Sequence, residues 1–203
     1  MQISRLAASI GESPTLKLNA LAARLREQGE DVIHLGGGEP KTPTPFDAIV
    51  AAASKLATSD VKYTPTEGIL PLRKAICGYT ARHYGREVTP ANVLVSTGAK
   101  AALYAFLVSV VDPDDEVVFP APYWVSYPEM VRMVRGVPVI VAPSEGFVPR
   151  FEDIVAAVTP RTRAILFNSP NNPSGAVYPA SLVEQVDRKS TRLNSSHGYQ
   201  YRM

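Results

Sequence analysis

Residues 96–100 (STGAK) form the segment whose residue types and spacing point most directly to chemistry. They follow an apolar run at 93–95 and precede a helical pattern. Small residues let a ligand approach the backbone, and the first N–H groups of a helix are unpaired and carry partial positive charge. The segment therefore suits phosphate. Many such turns bind no ligand, however, and this one lacks the spacing of a Walker loop.

Two further segments that could do chemistry follow apolar runs. Residues 168–179 (NSPNNPSGAVYP) form a stiff turn that can hold an asparagine amide towards a ligand, or serve as a tight loop with capping asparagines. Residues 121–127 (APYWVSY) carry Trp124, the single tryptophan of the chain. Its indole suits either stacking on a planar ligand or burial in the core.

Several other kinds of site lack the residues that they need. Glycines 36–38 do not continue into a dinucleotide fingerprint, and no G-x-S-x-G elbow is present. His34, His83 and His197 share no ligand spacing, so no metal site is predicted. Cys77 lies in a helical stretch, which favours a buried thiol over a nucleophile, and a single cysteine excludes a disulfide framework.

The positive charge of the chain is concentrated at its end. The 203 residues are 45% hydrophobic and carry a formal net charge of +2. Residues 187–203 contain four basic residues and one acid, which leaves 17 basic and 18 acidic residues in 1–186, a net charge of −1. The body is therefore close to neutral, and no nucleic-acid partner is expected.

Residues 187–203 (DRKSTRLNSSHGYQYRM) also differ in kind from the body. Leu193 is their one aliphatic residue, and they show no helical or strand period, which favours disorder. A basic interaction tail is one interpretation. The favoured interpretation is foreign sequence, because the segment resembles translated read-through of a sequencing adapter.

Neither a membrane anchor nor a leader is visible. No apolar run is long enough to span a bilayer, and residues 1–10 lack the features of a secretory signal. The sequence therefore predicts a cytoplasmic protein without a membrane partner.

The elements that must position these segments alternate in type. Helical spacing of apolar residues predicts helices at 18–25, 46–57, 69–84, 100–111, 123–134 and 151–158. Runs rich in Val, Ile and Leu predict strands at 93–96, 116–119, 137–142 and 163–168. This order predicts an α/β fold with a largely parallel sheet, whose ligands collect at the carboxyl ends of the strands. The turns after 96, 119 and 168 are therefore expected to carry the site.

Taken together, the order and spacing of five motifs resemble the class I aminotransferases, which are fold-type-I enzymes that use pyridoxal 5'-phosphate. The motifs are 38–40 (GEP), 62–68 (KYTPTEG), 96–100 (STGAK), 122–128 (PYWVSYP) and 169–175 (SPNNPSG). The resemblance is strongest to bacterial aspartate aminotransferases, including the aspartate/prephenate branch. It covers residues 1–186 and matches only the amino-terminal half of such an enzyme.

The resemblance also implies a division of the chain. Residues 1–45 are expected to form an amino-terminal arm and a small-domain segment. Residues 46–186 are expected to form the first part of the cofactor-binding large domain, with a mostly parallel sheet in three layers. Residues 187–203 are left as the foreign or disordered tail.

Roles for cofactor-binding residues follow from the same resemblance. Backbone N–H groups of Gly98, Ala99 and Lys100 would hold the cofactor phosphate, and Trp124 would lie against the pyridine ring. Tyr63 would reach the phosphate of a neighbouring subunit, which makes the site a property of a homodimer.

Asn172 would hydrogen-bond the phenolic oxygen of the ring, across a cis peptide to Pro173. For the substrate, Gly38 would contact the α-carboxylate, and Lys100 would offer its ammonium to a distal carboxylate. The expected substrate-binding set is Gly38, Lys100, Trp124 and Asn172. Its substrates would be an amino acid, aspartate or glutamate, and a 2-oxo acid, although prephenate-linked, aromatic and methionine-using relatives share the motifs.

The expected catalytic residue is missing from the chain. In this family a downstream lysine carries the cofactor as a Schiff base and moves the α-proton. The sequence leaves the family pattern near Val186, so no catalytic residue is assigned, and this chain is predicted not to transaminate.

A second interpretation of the chain is a non-catalytic, aminotransferase-like sensor domain of a transcription regulator. Only about four strands of the family's larger sheet would be present, and the last of them would be an unpaired edge, so the chain is also predicted to be poorly soluble or partly disordered.

Overall fold

The computed structural model describes residues 3–11, 13–38, 42–59 and 61–195. Its helices are α1 (Arg5–Ser9), α2 (Pro14–Glu27), α3 (Phe46–Ala57), α4 (Leu70–Tyr84), α5 (Ala99–Val110), α6 (Ser126–Met133), α7 (Phe151–Ala157) and α8 (Ala180–Ser195). Its strands are β1 (Glu116–Pro120), β2 (Val137–Val141) and β3 (Thr162–Ile165). The helices predicted from apolar spacing are thus confirmed, with small shifts at their ends.

Two compact units make up the chain. The sheet unit contains residues 1–17 and 103–203, and the helical unit contains residues 18–102. The division falls inside α2 and α5. The segments 1–45, 46–186 and 187–203 expected from the resemblance are a different kind of division, and they stay a prediction.

The sheet unit is built around three parallel strands in the order β2-β1-β3. All five residues of the central strand β1 are buried. Side chains of a strand point alternately to the two faces of its sheet. Accordingly, Val117 and Phe119 pack with α5 and α6 on one face, while Val118 packs with α7 and α8 on the other. The predicted α/β fold, with a parallel sheet as the middle of three layers, is confirmed.

The prediction of a strand at 93–96 is wrong. This segment is not part of the sheet, so the described residues contain three strands rather than four. An extended segment becomes a strand only when a second segment pairs with it along a ladder. Here the Val95 N–H donates to Glu67 O at 3.0 Å, a contact with a turn rather than with a neighbouring strand.

Disorder was also the wrong expectation for residues 187–195. Helix α8 continues through them to Ser195. Residues 180–195 contain neither glycine nor proline, so the amphipathic pattern that begins the helix meets no residue that would stop it. Residues 196–203 lie outside the described part of the chain, and the foreign origin of the tail stays a prediction.

Candidate functional site

Helix α5 begins immediately after the segment predicted to bind phosphate. The Ala102 N–H donates to Gly98 O at 3.2 Å, which makes Gly98 the N-cap residue. Gly98 has a φ of +105°, and Ser96 Oγ donates to its carbonyl oxygen at 3.0 Å. The N–H groups of Ala99 and Lys100 therefore lie in the first turn, before the first intrahelical donor.

This turn fits an anionic group such as the phosphate of pyridoxal 5'-phosphate. Residues 96–100 are exposed, and a Cβ built on Gly98 would meet nothing within 4 Å. First-turn N–H groups carry the positive end of the helix dipole. Donors, partial charge and open space thus occur together at one helix start.

Tyr63 lies in the helical unit with this turn. Its side chain is fully exposed. The end of its motif contacts the segment that leads into the turn, because Glu67 O accepts the Val95 N–H and Gly68 lies directly against the Val95 side chain. Gly68 has a φ of +97°, which favours glycine at this close approach.

Gly38 is exposed and has open space around its α-carbon. The His34 ring contacts the backbone of the glycine run 36–38 that ends in Gly38. The ring's Nε2 lies 2.6 Å from Asn19 Oδ1, and its Nδ1 accepts the Gly36 N–H at 3.4 Å. The other members of the expected motif, Glu39 and Pro40, lie outside the described residues.

In the sheet unit, Trp124 follows the carboxyl end of β1. Its indole is half-buried and packs against the core cluster that contains Phe119. Its ring meets that of Tyr127 edge to face, with centroids 5.8 Å apart and planes at 82°. Its carbonyl oxygen accepts the Tyr127 N–H at 2.9 Å. The two interpretations of this indole, core packing and a ligand platform, are therefore compatible.

Tyr127 is itself buried, and that burial raises the pKa of its phenol. Burial likewise raises the pKa of Tyr178, which lies after β3. Both side chains are therefore neutral phenols around pH 7.

Asn172 lies in the loop that follows β3, and it is exposed. The peptide between Asn172 and Pro173 is cis, as the resemblance implies. Its neighbour Asn171, which the sequence reasoning did not select, is only 6% exposed. Asn171 Nδ2 donates to Pro122 O at 2.9 Å and to Ser174 Oγ at 2.8 Å.

The structure brings the loops of Trp124 and Asn172 together through this Asn171 bond. These are two of the three turns that the sequence predicts to carry the site, and that prediction stays untested. Gly38, Tyr63, Gly98, Ala99 and Lys100 belong instead to the helical unit.

The described residues show neither a metal-binding cluster nor a membrane-spanning helix. Within the ranges that the structure describes, no three His, Cys, Asp or Glu side chains are grouped so as to hold a metal ion. None of the helices in those ranges is long and apolar enough to cross a membrane.

Comparison with known proteins places this chain in a family. The family model described as "Aminotransferase class I and II" matches residues 30–195, so the chain belongs to that family. The matched range extends to residue 195.

Individual relatives agree with this assignment. The chain is 46% identical over 188 residues to the aspartate/prephenate aminotransferase of Thermus thermophilus, covering 92% of this chain and 49% of that protein. It is 42% identical over 188 residues to the aspartate aminotransferase of Geobacillus stearothermophilus, covering 92% and 48%.

A solved structure matches as well. The aspartate aminotransferase from Thermus thermophilus with maleate superposes with a TM-score of 0.91 at 43% identity, covering 96% of this chain and 51% of that one. The chain thus spans about half the length of these relatives and corresponds to their amino-terminal part.

Proposed function

We propose that this chain is the part of a pyridoxal 5'-phosphate-dependent aminotransferase that holds the cofactor phosphate and ring. The enzyme would move an amino group between an amino acid, aspartate or glutamate, and a 2-oxo acid. The observation that carries the proposal is the exposed turn at 96–100, which opens α5 with glycine at its N-cap. When bound, the cofactor supplies an electron sink for charge that develops at the substrate α-carbon.

Each group that contacts the cofactor has a separate task. The N–H groups of Gly98, Ala99 and Lys100 bind the phosphate, where the helix dipole favours negative charge. The Trp124 indole supports one face of the ring. The exposed amide of Asn172 donates to the phenolic oxygen and so stabilises its negative charge.

The two carboxylates of the substrate are held by a backbone group and by an ammonium group. The backbone of Gly38 contacts the α-carboxylate, and the Lys100 ammonium pairs with a distal carboxylate. Trp124 and Asn172 contact the substrate on the side of the cofactor ring. The names of the relatives, aspartate/prephenate and aspartate aminotransferase, support a dicarboxylic amino acid as donor.

The complete enzyme is proposed to be a homodimer. The fully exposed side chain of Tyr63 supports this assignment, because a phenol that binds the phosphate of a second subunit must project away from its own.

The phosphate assignment is tested with Trp124 emission as the readout. Pyridoxal 5'-phosphate should quench this emission more than pyridoxal, which has the same ring and aldehyde but no phosphate. Ala99→Pro removes one first-turn N–H at the first helical position, where proline is tolerated. This variant should keep the helix content of the chain and lose the preference for the phosphate form. Equal quenching by both compounds in the wild-type chain would overturn the assignment.

The 203-residue chain alone is proposed to be inactive. It spans about half of its relatives, and the resemblance assigns the lysine that anchors the cofactor and shuttles the α-proton to the part that it does not span. The purified chain should transfer no amino group from aspartate to 2-oxoglutarate when cofactor is supplied. Transfer faster than that given by the free cofactor alone would show that a group of this chain performs that task.

A further inference from the structure

Asn171 is the most completely engaged polar residue of the loop after β3. Its side-chain nitrogen donates to Pro122 O and Ser174 Oγ, at 2.9 and 2.8 Å. Its backbone N–H donates to Ala176 O, and its carbonyl oxygen accepts the Gly175 N–H, both at 2.8 Å. The side chain is thus held by its own loop and at the same time reaches a residue 49 positions away.

The other end of this bond lies in the loop that carries Trp124. Pro122 precedes Trp124 by two residues. On one side of Pro122, the Ala121 N–H donates to Val141 O of β2 at 2.9 Å. On the other side, Trp124 is held by the backbone and the ring of Tyr127. A bond to the Pro122 carbonyl oxygen therefore acts on a short segment that is anchored on both sides.

We infer that Asn171 is a positioning residue. Its amide ties the loop of Trp124 to the loop of Asn172, so that both side chains are set in place before any ligand binds. The inference rests on the proposed function for the tasks of Trp124 and Asn172, whereas the tie between the loops can be tested in the cofactor-free chain.

The chemistry of the position explains why an asparagine stands there. One amide nitrogen carries two N–H groups, and it uses them for a carbonyl oxygen and a hydroxyl oxygen. An aspartate of nearly the same shape has no N–H to donate, and its carboxylate would face the Pro122 carbonyl oxygen. Asn171→Asp therefore removes the tie with little change in volume.

The sequence supplies its own reporter, because Trp124 is the single tryptophan of the chain. In the cofactor-free 203-residue chain, Asn171→Asp and Asn171→Ala should shift the Trp124 emission to the red and increase its quenching by acrylamide. Ser174→Ala is the matched control, since it removes the acceptor within the loop and keeps the bond to Pro122. Its emission and quenching should stay like those of the wild-type chain.

A second comparison separates this inference from the proposed function. Asn172→Ser should leave the emission of the cofactor-free chain unchanged and weaken its response to pyridoxal 5'-phosphate. If the wild-type chain shows no response to the cofactor but the Asn171 variants still shift the emission, the function fails and the tie stands. If both Asn171 variants keep helical circular dichroism and wild-type emission, the tie is refuted.

A measurement on the wild-type chain covers the case in which the Asn171 variants do not fold. The Asn171 side-chain NH2 protons should show nuclear Overhauser contacts to Pro122 and slowed exchange with water. Rapid exchange with no such contact would overturn the inference without the use of any variant.

Discussion

Among the described residues of the sheet unit, Glu116 is the buried carboxylate, with only 4% of its surface exposed. It lies at the amino end of β1, the end opposite to the candidate site. Its oxygens accept hydrogen bonds from Thr159 Oγ1 at 2.5 Å and from Arg161 at 2.6 and 3.1 Å. These two partners, of which Thr159 has the larger effect, hold the pKa of Glu116 below its ordinary value of 4.5, against the opposing effect of burial.

Glu116→Gln should therefore destabilise the sheet unit, and the loss should depend on pH. Loss of hydrogen bonds to a buried charged group costs about 1.5–3 kcal/mol. Because the pKa is lowered by folding, the stabilisation is present above the ordinary value of 4.5 and is lost as the pH falls through the folded value. Urea unfolding followed by Trp124 emission should show a large difference between wild type and variant at neutral pH. The difference should shrink in acid.

Asp153→Asn is the matched control for this prediction. Arg150 likewise lowers the pKa of Asp153, mainly through its hydrogen bonds to the carboxylate. This pair lies at the surface, where water screens its charges, so its loss should change stability much less than the loss of the Glu116 carboxylate. A Glu116→Gln variant as stable as Asp153→Asn at neutral pH would contradict the prediction.

The sequence alone predicts residues of the site by type, and it misses those that depend on distant contacts. Gly98 and Trp124 stand out because a glycine before a helix and a single indole are visible in the sequence. Asn171 looks the same as Asn172 in the sequence, and only the contact with Pro122, 49 positions away, separates the buried asparagine from the exposed one. An Asn-Asn pair within a proline-rich turn is the one available sign that such a loop must satisfy its own backbone.

For whole elements too, the sequence predicts the structures that depend on local hydrogen bonds, and it fails where a strand must pair with a distant segment. The bounds of α3 at 46 and 57 agree with the apolar spacing, because a helix makes its hydrogen bonds within itself. The extended segment at 93–96 has strand composition and pairs with no strand among the described residues. Its geometry depends instead on Glu67 and Gly68, which no strand propensity describes.

Gly68→Ala should loosen this contact. A Cβ at position 68 would lie 2.7 Å from the Val95 Cβ, and the φ of +97° is one that alanine rarely adopts. Strain of this kind costs about 1–3 kcal/mol. The Val95 N–H donates to Glu67 O. Its hydrogen exchange should become faster by the factor that corresponds to this loss of free energy.

Gly78→Ala tests whether that effect is specific to the position. Gly78 lies inside α4, and a Cβ there would meet nothing within 4 Å. Alanine should stabilise this helix by about 1 kcal/mol through its helix propensity. Exchange at Val95 that is unchanged in Gly68→Ala would show that the turn adapts to the side chain.

At the scale of the whole molecule, burial is unevenly distributed between the two units. Within the described ranges, Ala22 is the one buried hydrophobic residue of the helical unit, and the rest belong to the sheet unit. Helix α3 has no buried residue, although Phe46, Ile49 and Leu56 are apolar. Exposed apolar surface of this extent supports the prediction of poor solubility.

Two isoleucines measure this difference in burial with the same substitution. Ile154 of α7 is 1% exposed, and Ile49 of α3 is 50% exposed. Ile154→Ala should cost about 2–5 kcal/mol, because it removes buried methyl groups and leaves a cavity. Ile49→Ala should change stability by less than about 0.5 kcal/mol, because its side chain already meets water.

Urea unfolding of both variants, followed by circular dichroism at several protein concentrations, checks this pair of predictions. Equal losses would mean that the apolar face of α3 is covered in solution, and a loss that depends on concentration would identify a second copy of the chain as the cover.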